Sequence, residues 1–107
     1  MCHQIGNRTN ESSPLNGLGE VFLAIGRPEE ARAKFAAATS LAAQVGEVRE
    51  LARAHSGLAG VYHTTGDLGR ARGHWKEALA LYTATGAAEA DEISGTLLRL
   101  EARVPGE

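Results

Sequence analysis

The sequence predicts an all-α fold of about five antiparallel helices, and three observations lead to that prediction. The 107 residues include 13 glycines but are only 5% aromatic, and alanine is abundant. This composition favours closely packed helices over a β-sandwich. The chain also repeats itself with a period of 40 residues, and within each period apolar residues recur every three or four positions. Together these features indicate a single domain built from helical repeats.

The 40-residue repeat brings Gly6, Gly46 and Gly86 into register. Many identical pairs and two aromatic pairs lie between these glycines. The pairs are Gly17 with Gly57, Leu18 with Leu58, Val21 with Val61, Gly26 with Gly66, Ala31 with Ala71, Arg32 with Arg72, Ala38 with Ala78, Leu41 with Leu81, Phe22 with Tyr62, and Phe35 with Trp75. A fixed period of this size is typical of a repeat array.

The first repeat is predicted to begin at Pro14, which suits the first position of a helix with Ser13 as its cap. The apolar face of this helix consists of Leu15, Leu18, Phe22 and Ile25. Gly26 ends the helix, because glycine adopts the left-handed conformation without strain. Pro28 begins the second helix and Gly46 ends it. The predicted buried stripe of that helix consists of Ala31, Phe35, Ala38 and Leu41.

The second repeat follows the same plan. A helix is expected over about residues 47–65, with Ala54, Leu58, Val61 and Tyr62 facing inward. Gly66 ends this helix, Asp67 caps the next one and Gly86 ends that one. The inward stripe of that next helix consists of Ala71, Trp75, Ala78 and Leu81. A closing helix is expected over about residues 88–103, with Ile93, Leu97, Leu98 and Leu100 on its apolar side.

These elements divide the chain into four segments. Residues 1–12 are expected to be an irregular tail or the remnant of a preceding repeat, because Ile5 and Gly6 take the places of Val45 and Gly46. Residues 13–46 and 47–86 form the two repeats. Residues 87–107 form a closing helix and a tail.

The repeated residues resemble the tetratricopeptide repeat. The first copy consists of Leu15, Leu18, Gly19, Phe22, Ala31, Phe35 and Ala38, and the second of His55, Leu58, Ala59, Tyr62, Ala71, Trp75 and Ala78. The chain departs from that family in having Ala59 in place of glycine and a period of 40 residues instead of 34. The resemblance implies a helix-turn-helix solenoid that binds a protein or peptide and has no enzymatic activity.

A narrower resemblance concerns residues 15–20, 26–31 and 71–82. They are similar to the C-terminal repeat arrays of actinobacterial transcriptional regulators of the SARP and NB-ARC types. The chain contains no phosphate-binding loop and no helix-turn-helix pattern ahead of its repeats. The resemblance therefore implies, as an alternative, the sensor fragment of a nucleotide-dependent regulator that is inert alone.

The tetratricopeptide resemblance also implies a partner-binding groove lined by the first helix of each repeat. The positions it assigns to the groove are Asn16, Glu20, Leu23, Arg53, Ser56, Gly60, His63 and Thr96. Arg53 is the one evident anion-binding group among them. Some family members hold a terminal carboxylate with Lys and Asn at groove positions. Here Glu20, Ser56 and Gly60 are among the groove residues, so that carboxylate clamp is not expected.

Several other classes of function are disfavoured. The formal net charge of −2 gives no basic field for nucleic acid, and no apolar run approaches the roughly 20 residues of a membrane span. The N-terminal residues show no secretion signal, so a cytoplasmic location is expected. We expect no cofactor or metal and no catalytic residues: Cys2 is the single cysteine, and His55 and His63 lie eight residues, about 12 Å, apart on one helix. The histidines are expected to be solvated or to lie at the rim of the core.

The N-terminal end of the array is predicted to mediate self-association. A repeat buries its apolar face against a neighbour, and no predicted helix precedes the first repeat. The side chains expected to be partly exposed there are Leu15, Leu18, Phe22 and Phe35. The sequence thus predicts a possible homo-oligomer, or a longer array that covers this end.

Overall fold

The computed structural model describes residues 12–86 and 88–102, which form five helices. These are α1 (Ser12–Ala24), α2 (Pro28–Val45), α3 (Val48–Thr64), α4 (Leu68–Thr85) and α5 (Glu89–Ala102). No strand occurs among these residues, so the predicted all-α fold is confirmed. Of the predicted tail, residues 1–11 lie outside the described part, and Ser12 belongs to α1.

The four turns after α1 to α4 each contain a glycine with a positive φ. The values are +83° for Gly26, +76° for Gly46, +91° for Gly66 and +71° for Gly86. In this left-handed region a Cβ is strained, which is why glycine ends the helices at this regular interval. The side chain of Asp67 accepts a hydrogen bond from the Arg70 backbone N–H at 3.2 Å, as predicted for the cap of α4.

Consecutive helices pack against one another in chain order, and α1 also contacts α3. The pairs α1–α2 and α3–α4 therefore form the two repeats, and α5 follows the second repeat on the side of α4. The molecule is elongated, with principal extents of 56 × 31 × 19 Å. This arrangement places the first helix of one repeat beside the first helix of the next.

The core consists of two apolar clusters. One joins the repeats and contains Ala31, Phe35, Leu58 and Val61. The other joins the second repeat to the closing helix and contains Ala52, Ala78, Tyr82, Ile93 and Leu97. Small residues let the helices approach closely, and the larger side chains fill the remaining space. The predicted inward positions Ala38, Ala54 and Ala71 are also fully buried.

Two predicted apolar faces are wrong in part. The buried residues of α1 are Ser12, Asn16 and Gly19, whereas Leu18 is 44% and Ile25 is 61% exposed. The reason is that α2 and α3 cover the side of α1 that carries these three residues, with Phe22 and Leu23 packed against the core at its edge, and leave the opposite side with Leu18 and Ile25 uncovered. Leu98 was expected to face inward but is 67% exposed. It lies about 100° around the helix from Leu97, which packs in the second cluster.

None of the described helices is both long enough and apolar enough to cross a membrane.

Candidate functional site

The predicted groove positions on α3 form a row along one side of the helix. Arg53, Ser56, Gly60 and His63 follow one another at intervals of three or four residues, and Arg49 extends the row by one turn. Glu20 and Leu23 of α1 lie beside this row, since each contacts a residue in it. The structure therefore brings most of the predicted positions together.

Glu20 and Arg53 connect α1 to α3 by a bidentate ion pair. Nε and Nη2 of Arg53 each donate to a carboxylate oxygen of Glu20 at 2.9 Å. The third contact of Arg53 is from Nη1 to Oε1 of Glu50, at 3.3 Å. The hydrogen bond to Glu20 is the main cause that raises the pKa of Arg53, against the opposing effect of burial. Arg53 was expected to be an anion-binding group, but carboxylates of its own chain already occupy its guanidinium.

Asn16 is fully buried, which corrects the prediction that it lines an open groove. Its Nδ2 donates to the backbone oxygen and to Oε1 of Glu50, both at 3.0 Å. Its Oδ1 accepts no hydrogen bond within the described part of the chain. The short amide fits between the two helices, so Asn16 holds α1 against α3 and is not accessible to a partner.

The accessible part of the row lies further along α3. Ser56 and Gly60 are half-buried and His63 is exposed. An ideal Cβ at Gly60 would lie 3.2 Å from Cδ2 of Leu23, so the missing side chain lets α1 approach closely. The His63 ring lies 5.6 Å from the Trp75 ring, centroid to centroid. We name Leu23, Ser56, Gly60 and His63 the central row.

A second ion pair connects α3 to α5. Nη2 of Arg49 lies 3.2 Å from Oε2 of Glu89. Thr96 of α5, also assigned to the groove, is half-buried and donates its hydroxyl to the backbone oxygen of Glu92 at 3.0 Å. Both arginines of α3 at this end are thus paired with acidic residues of the neighbouring first helices, a pairing that the sequence analysis missed.

A histidine pair between α3 and α4 was also missed. The Nδ1 atoms of His55 and His74 are 3.0 Å apart, and the His74 ring stacks on Tyr62 at 5.5 Å between centroids. Burial lowers the pKa of both imidazoles. Both side chains are half-buried, so this pair lies at the rim of the core and is not fully solvated. Within residues 12–86 and 88–102, no three histidine, cysteine or acidic residues lie close enough to hold a metal ion.

The predicted self-association face is also changed by the structure. Phe35 is fully buried, so its predicted exposure is wrong. The ring fits between α1 and α3, because Gly19 and Gly57 lack side chains where it lies. Leu15 and Phe22 are half-buried and Leu18 is exposed. Only these three members of the predicted face are accessible.

Pairs of helices repeated at a fixed interval, with a row of accessible side chains on their first helices, define a helical-repeat protein. The family model described as tetratricopeptide repeat matches residues 10–84, which is more than half of the chain. The chain belongs to the tetratricopeptide repeat family, whose members are typically interaction modules without enzymatic activity. Comparisons with curated proteins and with solved structures gave no match.

Proposed function

We propose that this protein is a non-enzymatic interaction module that binds a protein or peptide through the central row. The observation that carries the proposal is that the α3 members of this row are partly or fully accessible to solvent, whereas five other residues of the same helix are buried. The buried residues of α3 are Ala52, Ala54, Leu58, Ala59 and Val61. In contrast, Ser56 and Gly60 are only half-buried and His63 is exposed.

The chemistry of the central row suits an extended peptide with mixed side chains. The Ser56 hydroxyl and the His63 imidazole both donate and accept hydrogen bonds. Leu23, which packs against Gly60, offers an apolar contact beside them. At one end of the row, Glu20 pairs with Arg53 and so reduces the positive charge that Arg53 could offer to an anion. A free carboxylate is therefore a poorer ligand than a neutral peptide segment.

Affinity capture with matched variants tests this proposal. Ser56→Arg fills the central row with a large side chain, whereas Thr83→Arg adds the same side chain at an exposed position on α4. We expect partners of the wild-type protein to be lost with Ser56→Arg and retained with Thr83→Arg. Circular dichroism establishes that both variants are folded. Retention of every partner by Ser56→Arg would contradict the proposal.

Finer aspects of this function stay predictions. A cytoplasmic location and the absence of direct nucleic acid binding are expected from the sequence. The family match gives no support to the narrower resemblance to transcriptional regulators. Homo-oligomerisation through Leu15, Leu18 and Phe22 is tested by light scattering at tens of micromolar, where Leu18→Glu should abolish it.

A further inference from the structure

His55 of α3 and His74 of α4 bring two imidazole nitrogens together from different helices of the second repeat. Their Nδ1 atoms are 3.0 Å apart. The sequence analysis disfavoured a metal ion because His55 and His63 are too far apart along one helix. That reasoning did not include His74, since only the packing of α4 on α3 places it beside His55. The contact therefore supplies a pair of metal-binding groups that the sequence spacing did not reveal.

The repeat architecture does not require a histidine at either position. Forty residues earlier, the first repeat has Leu15 in place of His55 and Lys34 in place of His74. The first repeat nevertheless consists of the same two packed helices. Helix packing alone therefore does not account for two facing imidazoles, whereas a chemical role in the second repeat would.

The separation of the two Nδ1 atoms suits neighbouring ligands on one metal ion. Metal–imidazole bonds are about 2.0–2.1 Å long, so two nitrogens bound at a right angle lie about 2.9 Å apart. At the tetrahedral angle the same bonds place the nitrogens about 3.3 Å apart. The observed 3.0 Å is closer to the right-angled value. Right-angled coordination by nitrogen and oxygen is typical of Cu²⁺ and Ni²⁺.

Without a metal ion, a proton lies between the two rings. Of two neutral imidazoles with facing Nδ1 atoms, one donates its Nδ1–H and the other accepts. The ring centroids are 5.2 Å apart, so the rings point at each other through these nitrogens. Metal binding moves this proton to Nε2 of the same ring, which stays neutral, and turns both rings off the line between them. Rotation about χ2 of histidine is soft enough to allow that turn.

The surroundings keep both imidazoles neutral and leave them partly open to solvent. Burial lowers the pKa of both, so near neutral pH each ring has a lone pair for a metal ion. Both side chains are half-buried, so water reaches the pair. The negative charge of Glu77 acts on both histidines and attracts a cation, whereas the positive charge of Arg70 acts on His74 and opposes it.

We propose that His55 and His74 bind a divalent transition-metal ion of the Ni²⁺ and Cu²⁺ type through their Nδ1 atoms. In the part of the chain that the structure describes, no third histidine, cysteine or acidic residue is placed to join them, so water completes the coordination. The ion would connect α3 to α4 and stabilise the second repeat, because it binds the folded chain. The central row takes no part, so the inference does not depend on the proposed function.

Isothermal titration calorimetry with NiCl₂ tests the proposal on the full chain, prepared without a histidine tag. The background protein carries Cys2→Ser and His3→Asn, which removes two other side chains that bind transition metals. We expect one Ni²⁺ per chain at about pH 7.5, where the imidazoles are neutral. Binding should weaken at least tenfold with either His55→Asn or His74→Asn. His63→Asn is the matched control on α3 and should leave binding unchanged, because His63 is exposed and lies outside the pair.

Urea unfolding gives a second measurement that does not depend on the heat of binding. An ion that joins two helices of the folded chain should raise the unfolding midpoint as the Ni²⁺ concentration increases. Each single variant of the pair should abolish that increase, and circular dichroism establishes that the variants are folded. Mg²⁺ should have no effect, because it prefers oxygen ligands.

Four results would overturn the proposal. A chain that binds no Ni²⁺ would have a hydrogen bond alone at this contact. Binding that survives His55→Asn or His74→Asn with less than a tenfold loss would mean that the two imidazoles do not hold one ion together. An equal loss with His63→Asn would indicate unspecific binding to histidines. An equal effect of Mg²⁺ would assign the ion to carboxylates instead.

Discussion

Glu20 and Arg53 form a bidentate ion pair between the first helices of the two repeats, with both N–O distances at 2.9 Å. The two residues are 33 positions apart in the chain, so the pair fixes the register of one repeat against the next. Side-chain exposure is 33% for Arg53 and 52% for Glu20. Solvent therefore screens the pair. Its hydrogen-bond geometry is well defined, but its contribution to stability is small.

A double-mutant cycle of Glu20→Gln and Arg53→Gln should give a small coupling energy. We expect about 0.2–1 kcal/mol from urea unfolding, decreasing as salt is added, because exposed ion pairs are weak and screened. The control is the same double-mutant cycle on the ion pair of Glu29 and Arg32, which lies within one helix and does not connect the two repeats. A coupling that is large and independent of salt would contradict this account.

Gly17 and Gly57 are repeat counterparts, yet alanine should have opposite effects at the two positions. Phe35 lies against Gly57 on one side and near Gly19 on the other, at 2.8 Å from an ideal Cβ there. The ring cannot move aside, so Gly57→Ala should lower the free energy of unfolding by about 1–3 kcal/mol. Gly17→Ala meets no neighbouring described atom and should raise it by about 0.5–1 kcal/mol.

Chemical denaturation of the two alanine variants measures this difference directly. Because the substitution and the helical context are the same, helix propensity contributes equally to both and cancels in the comparison. Equal changes in stability would show that Phe35 does not occupy the space beside Gly57.

The helices were predictable from the sequence because their signals are local. Each left-handed turn has a glycine, and within each helix the apolar residues recur with a period of about 3.6. Both signals come from residues that are close together in the sequence. The partners of Asn16 and Arg53 were not predictable in this way. They depend on how α1 crosses α3, which brings together residues 33 and 34 positions apart. A single helical pattern does not specify that crossing.

The α3 members of the central row could be grouped from the sequence for the same local reason. Its α3 members share one side of one helix, so their spacing was enough to group them. The burial of Phe35 and the exposure of Leu98 were not accessible to this reasoning. Both depend on which neighbouring helix packs against a given side, and hydrophobicity within one helix does not determine that.

Ala71 should tolerate enlargement much less than Ala80. Ala71 is fully buried and Ala80 is exposed on the same helix. A leucine at position 71 would force helices apart or side chains out of their rotamers, at a cost of about 1–3 kcal/mol. Ala71→Leu should therefore lower the melting temperature by several degrees, whereas Ala80→Leu should change it little. Similar shifts for both variants would show that the repeat register is wrong.

The burial of His55 and His74 should make stability fall as the solution becomes more acidic. Burial lowers the pKa of each imidazole below its ordinary value of 6.5. The partner imidazole and Arg70 lower the pKa of His74 further, whereas Glu77 raises the pKa of both histidines. Below about pH 6.5 the unfolded chain therefore binds more protons than the folded one. The free energy of unfolding therefore decreases as the pH falls below this value, and above it the contribution of the pair is constant.

Urea unfolding between pH 7.5 and 5.0 measures this slope in a range where most carboxylates stay ionised. The double variant His55→Asn and His74→Asn should lose most of the slope, because both shifted groups are removed. His63→Asn should retain it, since that side chain is exposed and lies outside the pair. If the double variant kept the full slope, another group would have to be responsible, and the contact between the two imidazoles would have no part in the pH response.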